Sequence, residues 1–280
     1  MSVAFYIENS YKVSELITKR YSTSFSLATS VLEKEKRKAI YAVYGFVRLA
    51  DEIVDSLHGY DKSYLLNKLN DDLDYALENN ISCNLILTSF ADTVKRYNIN
   101  REHITAFIQS MRYDLTKTDY NAASELEEYI YGSADVVGLM CLKVFCNGNQ
   151  NLYDELEHSA QKLGSAFQKV NFMRDLKEDT VELGRNYFPE IAGKKFCGEI
   201  KSLIERSIQH DFEEAYTGIK RLPDKSKLAV ALAFHYYHSL FNKIQKSTPE
   251  KILSQRVRIS NLRKYLIIIK VGFMYKAKLI

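Results

Sequence analysis

Apolar residues recur along this chain at intervals of three and four positions, the spacing that places them on one face of a helix. The clearest stripe runs from Glu33 to about Ser56 and includes Ala39, Phe46 and Val54. The same periodicity predicts further helices over residues 9–20, 61–79, 84–97, 101–116, 124–146, 151–182, 196–221 and 224–246, and a last amphipathic helix near the C-terminus. Only three prolines and eleven glycines interrupt the pattern. The chain is therefore predicted to be all-α.

Composition narrows the class of protein. Apolar residues make up 46% of the 280 positions and charged residues 26%, a balance typical of globular chains. This length suits one large domain or two tightly fused halves. Tyrosine is abundant at 20, with 14 phenylalanines. Most of these rings are expected in the core, and a helical protein this rich in them can also line a deep apolar pocket.

Charge and cysteine usage disfavour several classes of partner. The formal charge of +4 is mild and no lysine–arginine block stands out, so nucleic acid is not an expected partner. The four cysteines have no CxxC spacing, which disfavours a disulfide framework or a zinc site and favours reduced thiols in a cytoplasmic protein.

Membrane signals are weak in the sequence. Residues 1–30 lack the layout of a signal peptide. No stretch is expected to approach the roughly 20 apolar residues that cross a bilayer. The longest candidate, Tyr265 to Tyr275, is interrupted by Lys270. The last helix either packs on the core or contacts the inner face of a membrane peripherally.

The first candidate site is Asn171-Phe-Met-Arg174-Asp175-Leu-Lys-Glu-Asp179. Read as a helix, it places Asn171, Asp175 and Asp179 on one face at i, i+4 and i+8. Stacked like charges are destabilising, and a cation relieves them. Oxygen-only ligands favour a hard ion such as Mg²⁺. A solvated acidic face explains this motif equally well when it is taken alone.

A second acidic pair lies in the long predicted helix that begins at Glu33. Asp51 and Asp55 share one face at i,i+4, with Arg48 and Tyr44 on the same side. Because these acids interrupt an otherwise apolar stripe, a purely solvated face is a poorer explanation here.

Two further stretches have a structural and a functional interpretation. The hydroxyl-rich run from Tyr21 to Phe25 favours a cap or turn, although hydroxyls also bind phosphate oxygens. The small residues from Gly132 to Gly138 indicate close helix packing, a kink, or a surface that a ligand approaches.

Together these features predict a particular chemistry. Facing stacks of acids repel unless Mg²⁺ ions bridge them, and such ions hold and activate a diphosphate leaving group. Arg48, Arg174, Arg185 and Arg256 can each contact phosphate oxygens in a bidentate manner. An aromatic wall suits a hydrocarbon chain and stabilises carbocations. These features together predict a reaction in which bound metal ions trigger the ionisation of an allylic diphosphate.

The two acidic motifs, in this order and with Tyr21–Phe25 upstream, resemble the squalene/phytoene synthase family, and bacterial phytoene synthases in particular. The resemblance extends from about residue 10 to residue 265. It implies one domain over residues 1–280, an all-α isoprenoid-synthase bundle around a central cavity. It also implies Mg²⁺-dependent head-to-head condensation of two geranylgeranyl diphosphates to phytoene through a cyclopropyl diphosphate. Mn²⁺ is a conceivable substitute, and NADPH is not expected.

The resemblance also assigns roles to residues. The implied metal ligands are Asp51, Asp55, Asn171, Asp175 and Asp179, of which the four aspartates are also assigned to catalysis with Tyr44, Arg48 and Arg174. The implied substrate contacts are Ser22, Phe25, Tyr131, Ala134, Val137, Gly138, Gln168, Arg185, Tyr187, Tyr237 and Arg256. Glu52 departs from the aspartate of many members. The segment from Asp179 to Tyr187 is one residue longer than in some relatives, which weakens the carry-over to Arg185 and Tyr187.

Two alternatives stay open. A rival enzyme joins two farnesyl diphosphates to squalene, with NADPH, or to dehydrosqualene. A catalytically silent member would act in assembly or lipid binding. Prenyl diphosphates are the expected partners, and the oligomeric state is left open.

Overall fold

A computed structural model describes residues 2–182 and 184–280. Within these residues the chain forms thirteen α-helices, with an isolated β-bridge between Asp119 and Asn186 in place of any strand. The helices are α1 (Val3–Tyr21), α2 (Thr23–Ser30), α3 (Lys34–Asp55), α4 (Lys62–Asn79), α5 (Leu85–Tyr97), α6 (Arg101–Thr116), α7 (Ala123–Ile130), α8 (Val136–Cys146), α9 (Gln150–Lys177), α10 (Gly198–Ile219), α11 (Asp224–Gln245), α12 (Pro249–Ser254) and α13 (Asn261–Lys276). The prediction of an all-α fold is confirmed.

The predicted helices are present, and two short ones were missed. The hydroxyl run predicted to cap or close a turn does cap a helix: the Ser22 hydroxyl accepts a hydrogen bond from the Phe25 amide at 3.2 Å and starts α2. Helix α12 begins at Pro249, a favoured first helical position, behind the capping hydroxyl of Thr248. Both helices are too short for periodicity to show.

Two hydrophobic clusters form the core, and a cavity lies between them. One cluster is built on the N-terminal helices and includes Phe46, Phe90 and Phe107. The other joins α7 with α9 to α13 and includes Phe212 and Phe241. Residues from both clusters line the cavity. Helices α3 and α9, which hold the acidic motifs, both contribute to the cavity wall.

Helix α7, a π-helical turn over Tyr131–Asp135 and α8 form one continuous helical stretch. This stretch, Ala123–Cys146, is long and apolar enough to cross a membrane by length and composition, so the expectation that no segment approaches that criterion was wrong. About two thirds of its most apolar window is buried inside the protein (67%). The core helix of a globular fold meets the same criterion.

Glycines allow this stretch to pack closely on its neighbours, as the run of small residues indicated. A Cβ on Gly132 would lie 2.8 Å from the Ala106 carbonyl oxygen of α6. A Cβ on Gly164 of α9 would lie 2.8 Å from the carbonyl oxygen of Ala134 and 2.9 Å from the Cα of Asp135. Since the obstructing atoms are backbone, neither position has room for a side chain.

Substituting Gly164 tests this packing. We expect Gly164→Ala to lower the free energy of unfolding by about 2 kcal/mol, because α9 would have to move away from the π-helical turn. The matched control is Gly272→Ala in α13, where a Cβ meets nothing within 4 Å. The control should gain up to about 1 kcal/mol from helix propensity. Urea unfolding followed by circular dichroism measures both, and equal effects would contradict the packing argument.

Candidate active site

The cavity has a volume of about 1560 Å³ and receives side chains from both acidic motifs. Of the predicted site residues, all but Tyr131 line it: Ser22, Phe25, Tyr44, Arg48, Asp51, Asp55, Ala134, Val137, Gly138, Gln168, Asn171, Arg174, Asp175, Asp179, Arg185, Tyr187, Tyr237 and Arg256. The typical small-molecule pocket is roughly 300–1,000 Å³. This cavity is therefore large enough for more than one ligand of ordinary size.

The second acidic motif does not continue as one straight α-helix. Asn171 and Asp175 lie on α9, but Asp179 lies in a π-helical turn over Glu178–Glu182. Asp179 therefore lies beyond the end of the regular α-helix that the sequence predicted over the whole motif, and Asp175 is still the nearby charge with the largest effect on its pKa. Short π turns inside α-helices often occur at functional sites.

Two guanidinium groups hold the Asp175 carboxylate. Arg174 donates to its two oxygens at 2.9 and 2.5 Å. Arg256, from the segment before α13, donates to the same two oxygens at 2.8 and 3.2 Å. Arg256 also lies 3.6 Å from Glu178. A concentration of guanidiniums around a partly open cavity is suited to binding the oxygens of a diphosphate.

Arg185 links the two acidic motifs. Its guanidinium donates to the Asp55 carboxylate at 3.2 Å and to the backbone carbonyl of Asp114 at 2.9 Å, and its amide donates to the Asp179 carbonyl at 2.7 Å. Backbone hydrogen bonds between residues 118–120 and Asn186 hold this extended segment in place. The longer segment before Tyr187 thus still delivers Arg185 to the cavity.

The acids of the two motifs interact across the cavity. Burial, and then the neighbouring Asp55 carboxylate, raise the pKa of Asp51 to about 7. Burial, and then Asp175, raise the pKa of Asp179 to about 7, with Asp55 on the opposite helix adding to the effect. A raised pKa means that the negative charge is disfavoured, as expected for acids gathered in one partly buried place.

Asp114 is an acid of this cavity that the sequence did not reveal. It lies on α6, which carries none of the motifs identified in the sequence, and accepts a hydrogen bond from Tyr129 at 2.6 Å. Burial raises its pKa to about 7, against the effects of Tyr129 and Arg185. A lone aspartate near a helix end carries no motif, so nothing in the sequence distinguishes it.

Tyr131 was predicted to contact substrate, but its side chain does not line the cavity. It is 39% exposed, whereas Tyr129 is buried and does line the cavity. Two residues apart on a helix point in nearly opposite directions, so only one of these tyrosines can face inward. Tyr129 belongs to a stack in which Tyr187 lies 4.0 Å from Phe172, ring centroid to centroid.

Aromatic pairs line the passage between the acids and the apolar part of the cavity. Phe25 stacks on Tyr44 at 4.9 Å, and Phe167 stacks on Tyr237 at 3.8 Å. The Tyr237 hydroxyl donates to the Asn171 side-chain oxygen at 3.4 Å. Burial raises the pKa of Tyr44 to about 12, so its hydroxyl is neutral at physiological pH. Such rings can stabilise a nearby carbocation.

Arg48 is placed differently from the other arginines. It pairs with Glu52 on its own helix and lies over the Tyr21 ring at 4.4 Å. Glu52, the departure noted in the first motif, therefore acts as the partner of Arg48.

The remaining wall is apolar and deep. Along α9, cavity-lining residues continue from Asn171 through Phe167, Leu163 and Ala160 to Leu156. At the helical rise of 1.5 Å per residue this is roughly 22 Å. The adjoining wall is α8, which packs directly against α9. Cys141 of α8 lines the cavity, and burial raises the pKa of its thiol to about 12. The thiol is therefore neutral and acts as a small apolar group.

The residues present fit a hard divalent cation such as Mg²⁺. The ligands that the motifs offer are carboxylate and carboxamide oxygens, the donors that Mg²⁺ prefers. In the part of the chain that the structure describes, no three or more His, Cys, Asp or Glu side chains form a preassembled site. Mg²⁺ typically takes one or two carboxylates and completes its coordination with substrate phosphates. Separate acids on two cavity walls match that mode of binding.

Comparison with known proteins identifies the relatives of this chain. The family model of squalene/phytoene synthase matches residues 18–263. Phytoene synthase 1 of Zea mays is 28% identical over 250 residues, an alignment that covers 82% of this chain and 60% of that protein. The 4,4'-diapophytoene synthase of Staphylococcus haemolyticus is 26% identical over 291 residues, covering 96% of this chain and 99% of that protein.

Solved structures share the fold. A dehydrosqualene synthase superposes with a TM-score of 0.85 at 23% identity, covering 97% of this chain and 98% of that one. A squalene synthase from Alicyclobacillus acidocaldarius superposes with a TM-score of 0.75 at 22% identity, covering 86% of this chain and 94% of that one. The helical fold is therefore shared with these proteins.

Proposed function

Because the chain belongs to the squalene/phytoene synthase family, whose members are prenyltransferases, we propose that it joins two geranylgeranyl diphosphates head to head to form phytoene. One substrate loses diphosphate, and its allylic cation alkylates the double bond of the other, with loss of a proton, to give a cyclopropyl diphosphate. This intermediate loses the second diphosphate, rearranges to a 1–1′ bond and releases a proton. Two diphosphates and two protons leave for each phytoene formed.

The observation that carries this proposal is the division of one cavity into a charged end and an apolar end. At the charged end, Arg174 and Arg256 already converge on Asp175 and can bind diphosphate oxygens. Mg²⁺ held by Asp51, Asp55, Asn171, Asp175 and Asp179 would supply charge neutralisation for the departing diphosphate. Arg185 orients Asp55 relative to Asp179.

The apolar end holds the hydrocarbon chains and excludes water. The rings of Tyr44 and Tyr237 line the same cavity as the acids and would stabilise an allylic cation formed beside them. Water in this region would quench the cation, so a wall of aromatic and aliphatic side chains protects the intermediate as well as binding it.

The depth of the cavity favours a twenty-carbon substrate. A prenyl repeat has four backbone carbons, so twenty carbons extend over roughly 20 Å and fifteen over roughly 15 Å at ordinary bond lengths. The distance from Asn171 to Leu156 along α9 is roughly 22 Å. A geranylgeranyl chain would use this depth, and a farnesyl chain would leave its last part unfilled.

A farnesyl-using enzyme is the second candidate, favoured by two observations. The Staphylococcus relative, a 4,4'-diapophytoene synthase, matches over nearly its whole length, and a dehydrosqualene synthase superposes with a TM-score of 0.85. Offering both diphosphates together with Mg²⁺, with and without NADPH, and weighing the products by mass spectrometry decides between them. A forty-carbon product is expected. A thirty-carbon product alone would reject geranylgeranyl diphosphate, and binding without diphosphate release would identify a silent member.

Cys141 offers a direct test of the depth argument. Gly164 packs against Ala134, and Gly138 packs against Ala160. The antiparallel register of α8 and α9 that these contacts define places Cys141 near the level of Leu156. Phenylalanine here would fill the space for the last prenyl unit of a twenty-carbon chain and leave a fifteen-carbon chain unobstructed.

We therefore expect Cys141→Phe to lower kcat/KM for geranylgeranyl diphosphate by about 10- to 100-fold, the cost of overfilling a packed site. Turnover of farnesyl diphosphate should change less than about threefold on the same scale. Cys141→Ala is the control, since it removes the thiol without adding bulk. An equal loss for both substrates in Cys141→Phe would contradict the assigned depth.

A further inference from the structure

The outer face of α13 carries a continuous exposed apolar stripe. Its five members are between 56% and 70% exposed: Leu262, Tyr265, Leu266, Ile269 and Phe273. At 3.6 residues per turn they fall within about 100° of one another and extend over roughly 16 Å. Surface apolar residues are common singly, but a contiguous row of this kind marks an interaction site.

The opposite face of the same helix is already used by the fold. Ile267 and Val271 are buried in the second core cluster, and α13 packs on α11. The helix therefore has two apolar faces, the pattern of a helix that is shielded from water on both of them. Packing within this chain shields only the face that contains Ile267 and Val271.

The charge around the stripe indicates what covers the other side. Residues 255–280 contain seven lysines and arginines and no aspartate or glutamate. Lys270 and Arg263 lie exposed beside the stripe, and Lys276 lies exposed at its end. An apolar stripe bordered by cations is the pattern of a helix lying in the interface of an anionic bilayer. A second copy of this chain would instead bring two such sets of cations together, which is unfavourable.

The stripe begins at the rim of the cavity. Asn261 and Thr23 are both exposed and cavity-lining, so they mark its opening. Lys264, one turn into α13, also lines the cavity and donates to the Thr23 hydroxyl at 3.3 Å. Leu27, one turn after Thr23 on α2, is exposed and extends the apolar surface past the rim.

We infer that α13 docks this protein onto anionic lipid bilayers through Leu262, Tyr265, Leu266, Ile269 and Phe273, with the cavity rim turned toward the membrane. Docking concerns where the protein works and goes beyond the proposed reaction. If that reaction is correct, docking lets a long hydrocarbon chain pass between cavity and bilayer without crossing water.

Vesicle co-sedimentation of the full chain tests the inference. Vesicles are made of phosphatidylcholine alone or of phosphatidylcholine with phosphatidylglycerol. We expect binding to the anionic vesicles to be at least about tenfold tighter than to the neutral ones, because each cation near an anionic surface adds to the affinity. Raising the salt concentration should reduce the difference. Failure of the wild-type chain to bind anionic vesicles would overturn the proposal.

A paired set of variants assigns the binding to α13. Ile269→Asp combined with Phe273→Asp should weaken binding to anionic vesicles at least about tenfold, since both insert charge into the stripe. The matched control is Tyr75→Asp with Leu203→Asp, two exposed apolar side chains on α4 and α10. The control should bind like the wild type, and thermal melts check that both variants fold.

Three outcomes overturn the assignment. The first is a stripe variant that binds as the wild type does, and the second is an equal loss in the control. The third is a wild-type dimer that the stripe substitutions convert to monomer without any vesicle binding, which would make the stripe a contact between copies. Synthase assays in detergent separate this inference from the proposed function. A chain that binds vesicles but makes no product would contradict the proposed reaction and would still support membrane docking.

Discussion

Replacing Asp175 by alanine is expected to lower kcat/KM for prenyl diphosphate condensation by at least about a thousandfold, about 4 kcal/mol in transition-state free energy. Asp175 is the acid on which Arg174 and Arg256 converge, so it lies where diphosphate and metal would meet. Its removal takes away a proposed metal ligand and leaves both guanidiniums free to bind diphosphate. The loss should therefore appear in kcat more than in KM.

The matched control lies on the same helix. Glu155→Ala removes an exposed acid of α9 that pairs with Arg221 and does not line the cavity. Its turnover should stay within about twofold of the wild type, because exposed ion pairs contribute little. Diphosphate release measured at several Mg²⁺ concentrations distinguishes the two variants, with circular dichroism as the check on folding. Turnover near the wild-type rate in Asp175→Ala would exclude this acid from the metal set.

The acidic motifs could be read from the sequence because their geometry is local. Spacings of four residues put Asp51 beside Asp55 and Asn171 beside Asp175 on any helix. That the two helices face one cavity did not follow from spacing. It followed from the resemblance to a family, and the placement of both motifs on the wall of one cavity agrees with it.

Features that depend on tertiary packing could not be predicted. Asp114 reaches the cavity because α6 packs against the π-helical turn over Tyr131–Asp135. No local sequence pattern encodes that contact between distant helices. The family resemblance assigned Tyr131 to the substrate, but only the rotation of the helix decides that the Tyr129 ring, two residues earlier, lines the cavity instead. The π turn that contains Asp179 likewise escapes a prediction that assumes a regular α-helix.

Acids gathered in one partly buried site lower the free energy of unfolding at neutral pH, and substituting Asp51 should show this. The pKa of Asp51 is raised from 3.8 to about 7, chiefly by burial and then by Asp55. The folded state thus holds this proton more tightly than the unfolded state does. Stability from this group is fully present below pH 4, declines as the pH rises, and is fully lost above pH 7. This rise in the pKa of Asp51 corresponds to about 4 kcal/mol in the free energy of unfolding, and screening by solvent in the open cavity reduces it to about 2 kcal/mol.

Asp51→Asn should therefore be more stable than the wild type at pH 8, by about 2 kcal/mol or about 5 °C in melting temperature. The difference in free energy of unfolding between the two proteins should disappear as the pH falls toward 4, because Asp51 is then protonated and neutral, as asparagine is at every pH. Asp71→Asn, an exposed acid of α4, is the control and should show no such divergence.

Ligand should reverse the order of stability at Asp51. Mg²⁺ with pyrophosphate stabilises the wild type by mass action, since the ligand binds only the folded state. The Asp51→Asn variant lacks this proposed metal ligand and should gain much less, while losing at least about a thousandfold in turnover. Melting curves at pH 8 with and without Mg²⁺ and pyrophosphate therefore cross: the variant is the more stable protein alone, and the wild type is the more stable with ligand. Equal gains for both proteins would mean that Asp51 is buried near the site without holding metal.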